Sequence, residues 1–167
     1  LAGIAEAKTF RYATTGDVLG LDPHANNEGP TNTMKGNLYG RLLHRKADLS
    51  LEPDLATKWE KLDATTWRFS LRQGVKFHNG NAFNADDVVF SYNRQTQESS
   101  DMSFALATVK EVRKVDDHTV DIITTGPDPI LLLNMPIFYI VDKEWTEANN
   151  AFEVVRASGS TNFANVN

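Results

Sequence analysis

One short stretch of the sequence predicts a strand end, two glycine turns and a capped helix in immediate succession. It reads LRQGVKFHNGNAFNADDVVFS, from Leu71 to Ser91. The alternation in TTWRFSLRQG predicts a strand with one buried face, which Gly74 ends, and Asn79-Gly80 is typical of a turn that needs positive φ. Asn84 then stands as the N-cap of a helix, with Asp86 and Asp87 in its first turn. Any fold for this chain must therefore place a half-buried strand beside a capped helix.

The region before this stretch predicts a strand, a long polar loop and one helix. Residues 9–14 alternate aromatic and polar side chains, whereas residues 15–31 are rich in Gly, Asn, Asp and Pro. In NTMKGNLYGRLLHR, apolar residues recur four apart from Met34 to Leu42, with Leu43 alongside, which predicts one helical face. The N-cap of this helix is expected at Thr31, Asn32 or Thr33.

The region after it predicts a hairpin and further short elements. Residues 108–124 are interpreted as two strands joined at Asp116-Asp117, and GPDPILLLNMP as a turn followed by a short buried helix or an apolar loop. FYIVDKEWTEANN predicts a strand that passes into a surface helix. Strands outnumber long helices and do not alternate with them strictly, so we expect an α/β fold, a mixed α+β sheet lobe.

Composition excludes several classes of protein. The 17 basic and 22 acidic residues give a net charge of −5, which argues against a nucleic-acid-binding surface. The absence of cysteine removes disulfides, thiolate nucleophiles and cysteine metal ligands. The most apolar stretch, PILLLNMPIFYIV, is interrupted by Asn134 and Pro136 and is shorter than the roughly 18 apolar residues of a spanning helix.

The residues that could support catalysis or metal binding are scattered. The four histidines have no ligand partners at metal-binding spacing, so we interpret them as four separate surface residues: His24, His44, His78 and His118. Hydrolase and phosphate-loop motifs are absent. Helix capping explains Asp86-Asp87, and turn formation explains Asp116-Asp117. We therefore expect no enzyme activity, no metal and no cofactor.

The segment from Leu51 to Arg94 resembles the signature region of the extracytoplasmic solute-binding proteins of the dipeptide/oligopeptide/nickel class. It contains in order a Pro-x-Leu-Ala start, a Trp-Glu pair, an aromatic strand, Leu-Arg-x-Gly-Val-x-Phe-His, a Gly turn and Phe-x-Ala-x-Asp-Val-x-Phe-Ser. GLDPH and VRKVDDHTVDIITTGPDPILLL match the family further. The residues that form the signature serve as scaffold in that family: Trp59, Leu71, Arg72, Gly74, Val75, Phe77, His78, Gly80, Phe83, Ala85, Asp87, Val88, Phe90 and Ser91.

The resemblance implies a receptor that binds a ligand without chemistry and delivers it to an ABC permease and ATPase complex. The implied ligand is a short peptide, with a nickel complex, haem or a sugar as alternatives. The implied location is periplasmic or otherwise extracytoplasmic, at most peripheral to the membrane or lipid-anchored, and we expect a monomer. A stand-alone interaction or structural module is the alternative from another class.

The resemblance also implies an incomplete periplasmic-binding-protein-like architecture of type II. Residues 1–34 would supply the first strand and cleft loop of a main lobe, residues 35–167 would form an accessory subdomain, and the second ligand-gripping lobe would lie outside this chain. We therefore expect the 167-residue chain by itself to bind ligand weakly or not at all.

The predicted ligand loop comprises seven residues after the first strand: Asn26, Asn27, Glu28, Gly29, Pro30, Thr31 and Asn32. Glu28 is suited to pair with a ligand amine, and Gly29 would allow close backbone approach. A plain solvent loop that ends in a helix cap explains the same residues, and both interpretations stand.

Two expectations concern the ends of the sequence. Ala5-Glu6-Ala7 fits the pattern that signal peptidase favours, so residues 1–7 are either a signal-peptide remnant or an ordinary alanine-rich start. Residues 157–167 are polar and turn-forming, which is typical of a linker.

Overall fold

The computed structural model describes residues 16–156. The predicted strand at residues 9–14 and both terminal expectations lie outside these residues. The helices are α1 (Gly29–Leu38), α2 (Ala85–Gln95), α3 (Leu131–Asn134) and α4 (Lys143–Ala148), and two short 3-10 helices span Ser103–Leu106 and Met135–Ile137. The strands are β1 (Leu43–Arg45), β2 (Leu51–Pro53), β3 (Ala56–Lys61), β4 (Thr66–Leu71), β5 (Val109–Asp116) and β6 (Thr119–Thr124).

The main sheet has four antiparallel strands in the order β3-β4-β6-β5, and β1 pairs with β2 in a separate hairpin. The core lies between the inner face of the main sheet and helix α2. Phe69 of β4 is fully buried there with Val120 and Ile122 of β6 and Val88 of α2. A mixed α/β lobe is thus confirmed, as is the β5–β6 hairpin, although its turn lies at Asp117-His118, one residue beyond the predicted position.

The central stretch folds as its sequence predicts. Gly74 and Gly80 have φ values of +72° and +97°, a region that favours glycine. The Asn84 side chain accepts a hydrogen bond from the Asp86 backbone N–H at 2.7 Å, and the Asp87 carboxylate accepts one from the Asn84 N–H at 2.9 Å. This reciprocal pair resembles a capping box and fixes the start of α2.

Helix α1 differs from the prediction at both ends. It is capped by Glu28, upstream of the three expected N-caps, and it ends at Leu38 because Tyr39 adopts extended backbone. Leu42 and Leu43 are buried in the core beyond the helix, where Leu43 pairs with Pro53. The apolar spacing that suggested one long helix arises from two elements, because the chain leaves the helix at Tyr39 and continues into the β1–β2 hairpin.

The apolar segment before α4 also differs from the prediction. It forms no strand of its own: Tyr139 makes an isolated bridge with Arg41, and the Ile140 N–H donates to the Gly40 carbonyl at 2.9 Å. Of the two alternatives for the preceding segment, a short helix forms, α3, in which Leu131 is buried and Leu133 is exposed. Packing against the chain around Gly40 therefore replaces regular strand pairing.

Candidate functional site

The predicted ligand loop forms the entry to helix α1. Asn27 and Gly29 are exposed, Glu28, Pro30 and Asn32 are half-buried, and Asn26 and Thr31 are buried. Glu28 Oε1 accepts a hydrogen bond from the Thr31 backbone N–H at 3.0 Å. Helix capping is therefore present in this loop, but its cap is Glu28 rather than Thr31 or Asn32. The role of the seven residues as ligand contacts stays a prediction.

Internal hydrogen bonds shape this loop. Asn32 Nδ2 donates to Asn27 Oδ1 at 2.8 Å, and Thr31 Oγ1 accepts from the Leu19 N–H at 3.0 Å. The Lys35 ammonium donates to the Asn26 carbonyl. In residues 16–156, Asn32 Oδ1 is buried and has no hydrogen-bond partner. The loop thus presents exposed backbone at Gly29 and one buried acceptor without a donor.

A buried ion pair lies immediately before the loop. Arg94 of α2 donates from Nη1 and Nη2 to the two carboxylate oxygens of Asp22, at 2.8 and 2.7 Å, and from Nε to the Ala151 carbonyl at 3.1 Å. Arg94 is fully buried and Asp22 is 2% exposed. Burial raises the pKa of Asp22, but its bonds to Arg94 outweigh that effect and the pKa lies below its ordinary value.

His24 belongs to the same cluster and is fully buried, so the interpretation as four surface histidines is wrong for this residue. His24 Nδ1 lies 3.0 Å from Arg94 Nη1, and Nε2 lies 2.9 Å from the Tyr139 carbonyl oxygen. Arginine only donates and a carbonyl only accepts, so Nδ1 must accept and Nε2 must carry the hydrogen. Burial and the Arg94 charge lower the pKa of His24 to about 3, which keeps the ring neutral.

Helix α1 contributes a second buried cation. Lys35 is 1% exposed, and burial lowers its pKa to about 8, although the Asp22, Glu28 and Asp101 carboxylates oppose that shift. Burial also raises the pKa of the half-buried Tyr39, whose hydroxyl donates to the Leu21 carbonyl at 2.8 Å. Two polar residues four apart, Thr31 and Lys35, therefore form the buried side of α1, whereas Met34 and Leu38 are exposed.

A groove of about 650 Å³ opens beside this cluster. Its walls carry the rings of Tyr39, Phe77, Phe83 and Trp145, and Asp142 also lines it. The Asp142 carboxylate accepts hydrogen bonds from the side-chain amides of Asn79 and Asn81, at 2.7 and 2.9 Å, and from the Trp145 N–H. The groove is suited to an apolar group, and no residue of the predicted ligand loop lines it.

The signature residues form the scaffold around β4 and α2. The buried ones are Leu71, Phe83, Ala85, Asp87, Val88, Phe90 and Ser91. Four of the set also line the groove, namely Val75, Phe77, His78 and Phe83. Asp87 Oδ1 accepts from the Lys143 N–H at 3.0 Å, and Ser91 Oγ accepts from the Val141 N–H at 2.9 Å. The motif thus joins α2 to the segment that leads into α4.

The part of the chain that the structure describes contains no group of three or more His, Cys, Asp or Glu side chains placed to hold a metal ion. Among the carboxylates, burial, with the nearby Asp142 and Glu144 charges, raises the pKa of Asp87 to about 6. The hydrogen bond that Asp87 accepts from the Asn84 N–H explains its position in the cap of α2. Within residues 16–156, no helix is long and apolar enough to cross a bilayer.

Sequence reasoning missed the cluster of Asp22, His24 and Arg94. GLDPH contains Asp22 and His24, and Arg94 lies near the end of α2, but nothing in the local spacing of the sequence links the two segments. Asp22 and Arg94 are 72 residues apart in the chain. The signal available was chemical: a Lys or Arg on an otherwise apolar helix needs a buried acid as its partner.

Many known proteins are similar to this chain, and three of them show the range. The "Dipeptide-binding protein" of Escherichia coli is 33% identical over 89% of this chain and 32% of its own length. The "Periplasmic oligopeptide-binding protein OppA" of Escherichia coli is 27% identical over 75% of this chain and 27% of its own length. The solved structure of MoaA from A. tumefacien in complex with mannopinic acid is 34% identical and superposes with a TM-score of 0.72 over 80% of this chain and 29% of that chain.

These proteins are much longer than the chain, which spans about a third of the length of the curated relatives it matches. Residues 50–162 match the family described as "Bacterial extracellular solute-binding proteins, family 5 Middle". That family binds solutes and is non-catalytic. The match covers the whole scaffold built from β3, β4 and α2. The chain therefore belongs to the family 5 bacterial extracellular solute-binding proteins.

Proposed function

We propose that this chain is part of the receptor of an ABC import system, which captures short peptides in the periplasm and delivers them to the membrane permease. The observation that carries the proposal is the 33% identity with a dipeptide-binding protein over 89% of the chain. A relative named as a periplasmic oligopeptide-binding protein supports the location. The receptor is proposed to act as a monomer without catalysis.

The predicted ligand loop supplies the groups that a peptide would need. Glu28 Oε1 is committed to the α1 cap, so Oε2 is the oxygen proposed to meet a peptide amine. Asn32 Oδ1 has no donor among the described residues, so a rotation that exposes this buried oxygen would let it accept a peptide N–H. The exposed Gly29 allows the peptide main chain to approach closely. Main-chain hydrogen bonds of this kind give affinity without selecting side chains.

The proposal keeps the expected division of the chain. Residues 1–34 are proposed to belong to the ligand-gripping main lobe and residues 35–167 to the accessory subdomain. A second lobe outside these 167 residues would close over the ligand.

The test uses the complete gene product that contains these residues. Native mass spectrometry after purification without denaturation should detect retained peptides, and thermal-shift assays with the dipeptide Ala-Ala should raise Tm through mass action. Glu28→Gln should reduce that shift, whereas Glu147→Gln, on an exposed part of α4, should leave it unchanged. The absence of both peptide adducts and any dipeptide-dependent shift would overturn the peptide proposal.

A non-peptide ligand is the second candidate. The observation that favours it is the 34% identity with MoaA, whose structure contains mannopinic acid. Mannopinic acid, haemin and a nickel–histidine complex therefore belong in the same thermal-shift panel. Stabilisation by one of these, with no response to dipeptides, would establish this candidate instead.

A further inference from the structure

The segment from Asp22 to Ala25 fixes the start of the predicted ligand loop to another part of the fold. Arg94 of α2 holds Asp22, Ser100 Oγ donates to the His24 carbonyl at 2.7 Å, and the Asp101 N–H donates to the Ala25 carbonyl at 3.2 Å. All three contacts come from residues 94–101. The position of the loop relative to the sheet lobe therefore depends on this attachment.

His24 is suited to this attachment in one protonation state only. Neutral His24 accepts from Arg94 at Nδ1 and donates to the Tyr139 carbonyl at Nε2. A proton on Nδ1 would place an N–H against the guanidinium N–H, so two donors and two positive charges would face each other. Protonation therefore removes the Arg94–His24 hydrogen bond and replaces it with repulsion.

Charged and polar groups from several elements face His24 and affect its pKa. Arg94 of α2 and Lys35 of α1 disfavour an imidazolium, whereas Asp22 and the Tyr139 carbonyl favour it. The Glu28 and Asp101 carboxylates act on Lys35 rather than on the ring. Burial adds to the effect of the two cations, so the neutral ring is the stable form in the closed cluster.

We propose that Asp22, His24 and Arg94 form an acid-sensitive clasp that positions the predicted ligand loop against helix α2, and that protonation of His24 releases it. Arg94 is thus a positioning residue, since it acts on the loop through Asp22 and His24. The clasp rests on the proposed function only insofar as that function names this loop as the ligand contact. Its attachment and release can be measured without any ligand.

The sign and size of the pH effect follow from linkage. The pKa of His24 is about 3 in the closed clasp, and an exposed histidine titrates near 6.5. The stabilising contribution of neutral His24 is therefore complete above about pH 6.5 and decreases as pH falls toward 3. Between pH 7.5 and pH 5.0, the opening equilibrium should rise about 30-fold, because the released ring takes up a proton.

Hydrogen–deuterium exchange of the complete gene product that contains these residues tests the clasp directly, because amide exchange reports local opening. Exchange is measured at pH 7.5 and pH 5.0 after correction for intrinsic rates. Peptides that cover residues 22–34 should show the rise of about 30-fold in opening, whereas peptides from β4 should show no comparable change. Equal protection of residues 22–34 at both pH values would overturn the proposal, as would an equal rise in β4.

Two histidine variants separate the clasp from a general acid effect. In His24→Asn, the side chain can still accept from Arg94 but cannot titrate, so the pH response of residues 22–34 should fall below about 3-fold. His78→Asn changes an exposed histidine and should keep the wild-type response. A wild-type response in His24→Asn would refute the role of His24.

A spectroscopic measurement keeps the test independent of variant folding. Imidazole nitrogen NMR of the wild-type chain should show His24 neutral, with hydrogen on Nε2, in the closed form at pH 7.5. An ordinary titration near pH 6.5 without loop opening would overturn the proposal. Ligand retention by the complete receptor is scored separately, so failure of the clasp and failure of the proposed function are distinguishable.

Discussion

Arg94→Met should be among the most destabilising changes to this chain, because it removes one member of a buried ion pair. The methionine fills much of the space of the arginine stem but leaves the Asp22 carboxylate without its two guanidinium hydrogen bonds. Asp22 is only 2% exposed, so water cannot replace them. The His24 Nδ1 and the Ala151 carbonyl each lose a donor as well.

The expected cost is about 3–5 kcal/mol, the range for removing one partner of a buried pair. Most of it comes from the buried carboxylate left unpaired. Asp22→Asn combined with Arg94→Met removes both charges and keeps a side-chain oxygen to accept the hydrogen bond that the His24 backbone N–H donates to Asp22 Oδ1 at 3.0 Å. The double variant should therefore be more stable than Arg94→Met alone by about 1–3 kcal/mol.

Arg113→Met is the matched control. The Arg113 side chain is 53% exposed, and its partner Asp121 keeps a two-point contact with Arg68 at 2.7 and 2.9 Å. Removing an exposed partner of this kind costs about 1 kcal/mol or less.

Urea denaturation at pH 7.5, followed by tryptophan fluorescence, measures these differences. With a slope of about 2 kcal/mol per molar urea, Arg94→Met should lower the midpoint by about 2 M and the control by less than about 0.5 M. Equal midpoint shifts for Arg94→Met and Arg113→Met would refute the reasoning, since they would mean that the buried pair contributes no more than an exposed one.

Three further predictions concern the scaffold. Gly80→Ala should lower the free energy of unfolding by about 1–2 kcal/mol because φ is +97°. In the control, Gly126→Ala, the added Cβ meets no neighbour, so stability should change by less than about 0.5 kcal/mol. Thermal unfolding compares the two variants. Asp87→Asn should cost about 1–3 kcal/mol because its NH2 group would replace one of the two oxygens that accept backbone N–H bonds and would face a donor. Asp86→Asn should cost less than about 1 kcal/mol. Equal costs in urea denaturation would contradict the capping role. Phe69→Ala should cost about 3–5 kcal/mol by creating a cavity under the sheet, and a loss below about 1 kcal/mol in the same assay would mean that this ring does not form the core.

The sequence itself determined the elements whose causes are local. Four features depend on residues within a few positions of one another: the apolar alternation of β4, the β5–β6 hairpin, the positive φ at Gly80 and the Asn84 cap of α2. Family membership was likewise readable, because it rests on a continuous motif. These features could be predicted since the physical requirement and the residue that meets it lie in the same short segment.

Apolar spacing alone misplaced the boundaries around α1. Met34 and Leu42 fit the same four-residue spacing. Met34 is nevertheless exposed on α1, whereas Leu42 lies after the end of the helix and is buried in the core. Periodicity records which residues are apolar, but not whether a hairpin partner competes for them. Here Leu43 pairs with Pro53 in the β1–β2 hairpin and is not part of the helix.

Only the tertiary structure decided the chemistry of His24. The same imidazole would titrate near neutrality in water, but burial between Arg94 and the Tyr139 carbonyl fixes one neutral tautomer. Its partners lie 70 and 115 residues away in the chain. Spacing in a sequence cannot encode such a meeting, because it results from the packing of α2 and the chain around Tyr139 against the segment that carries Asp22 and His24.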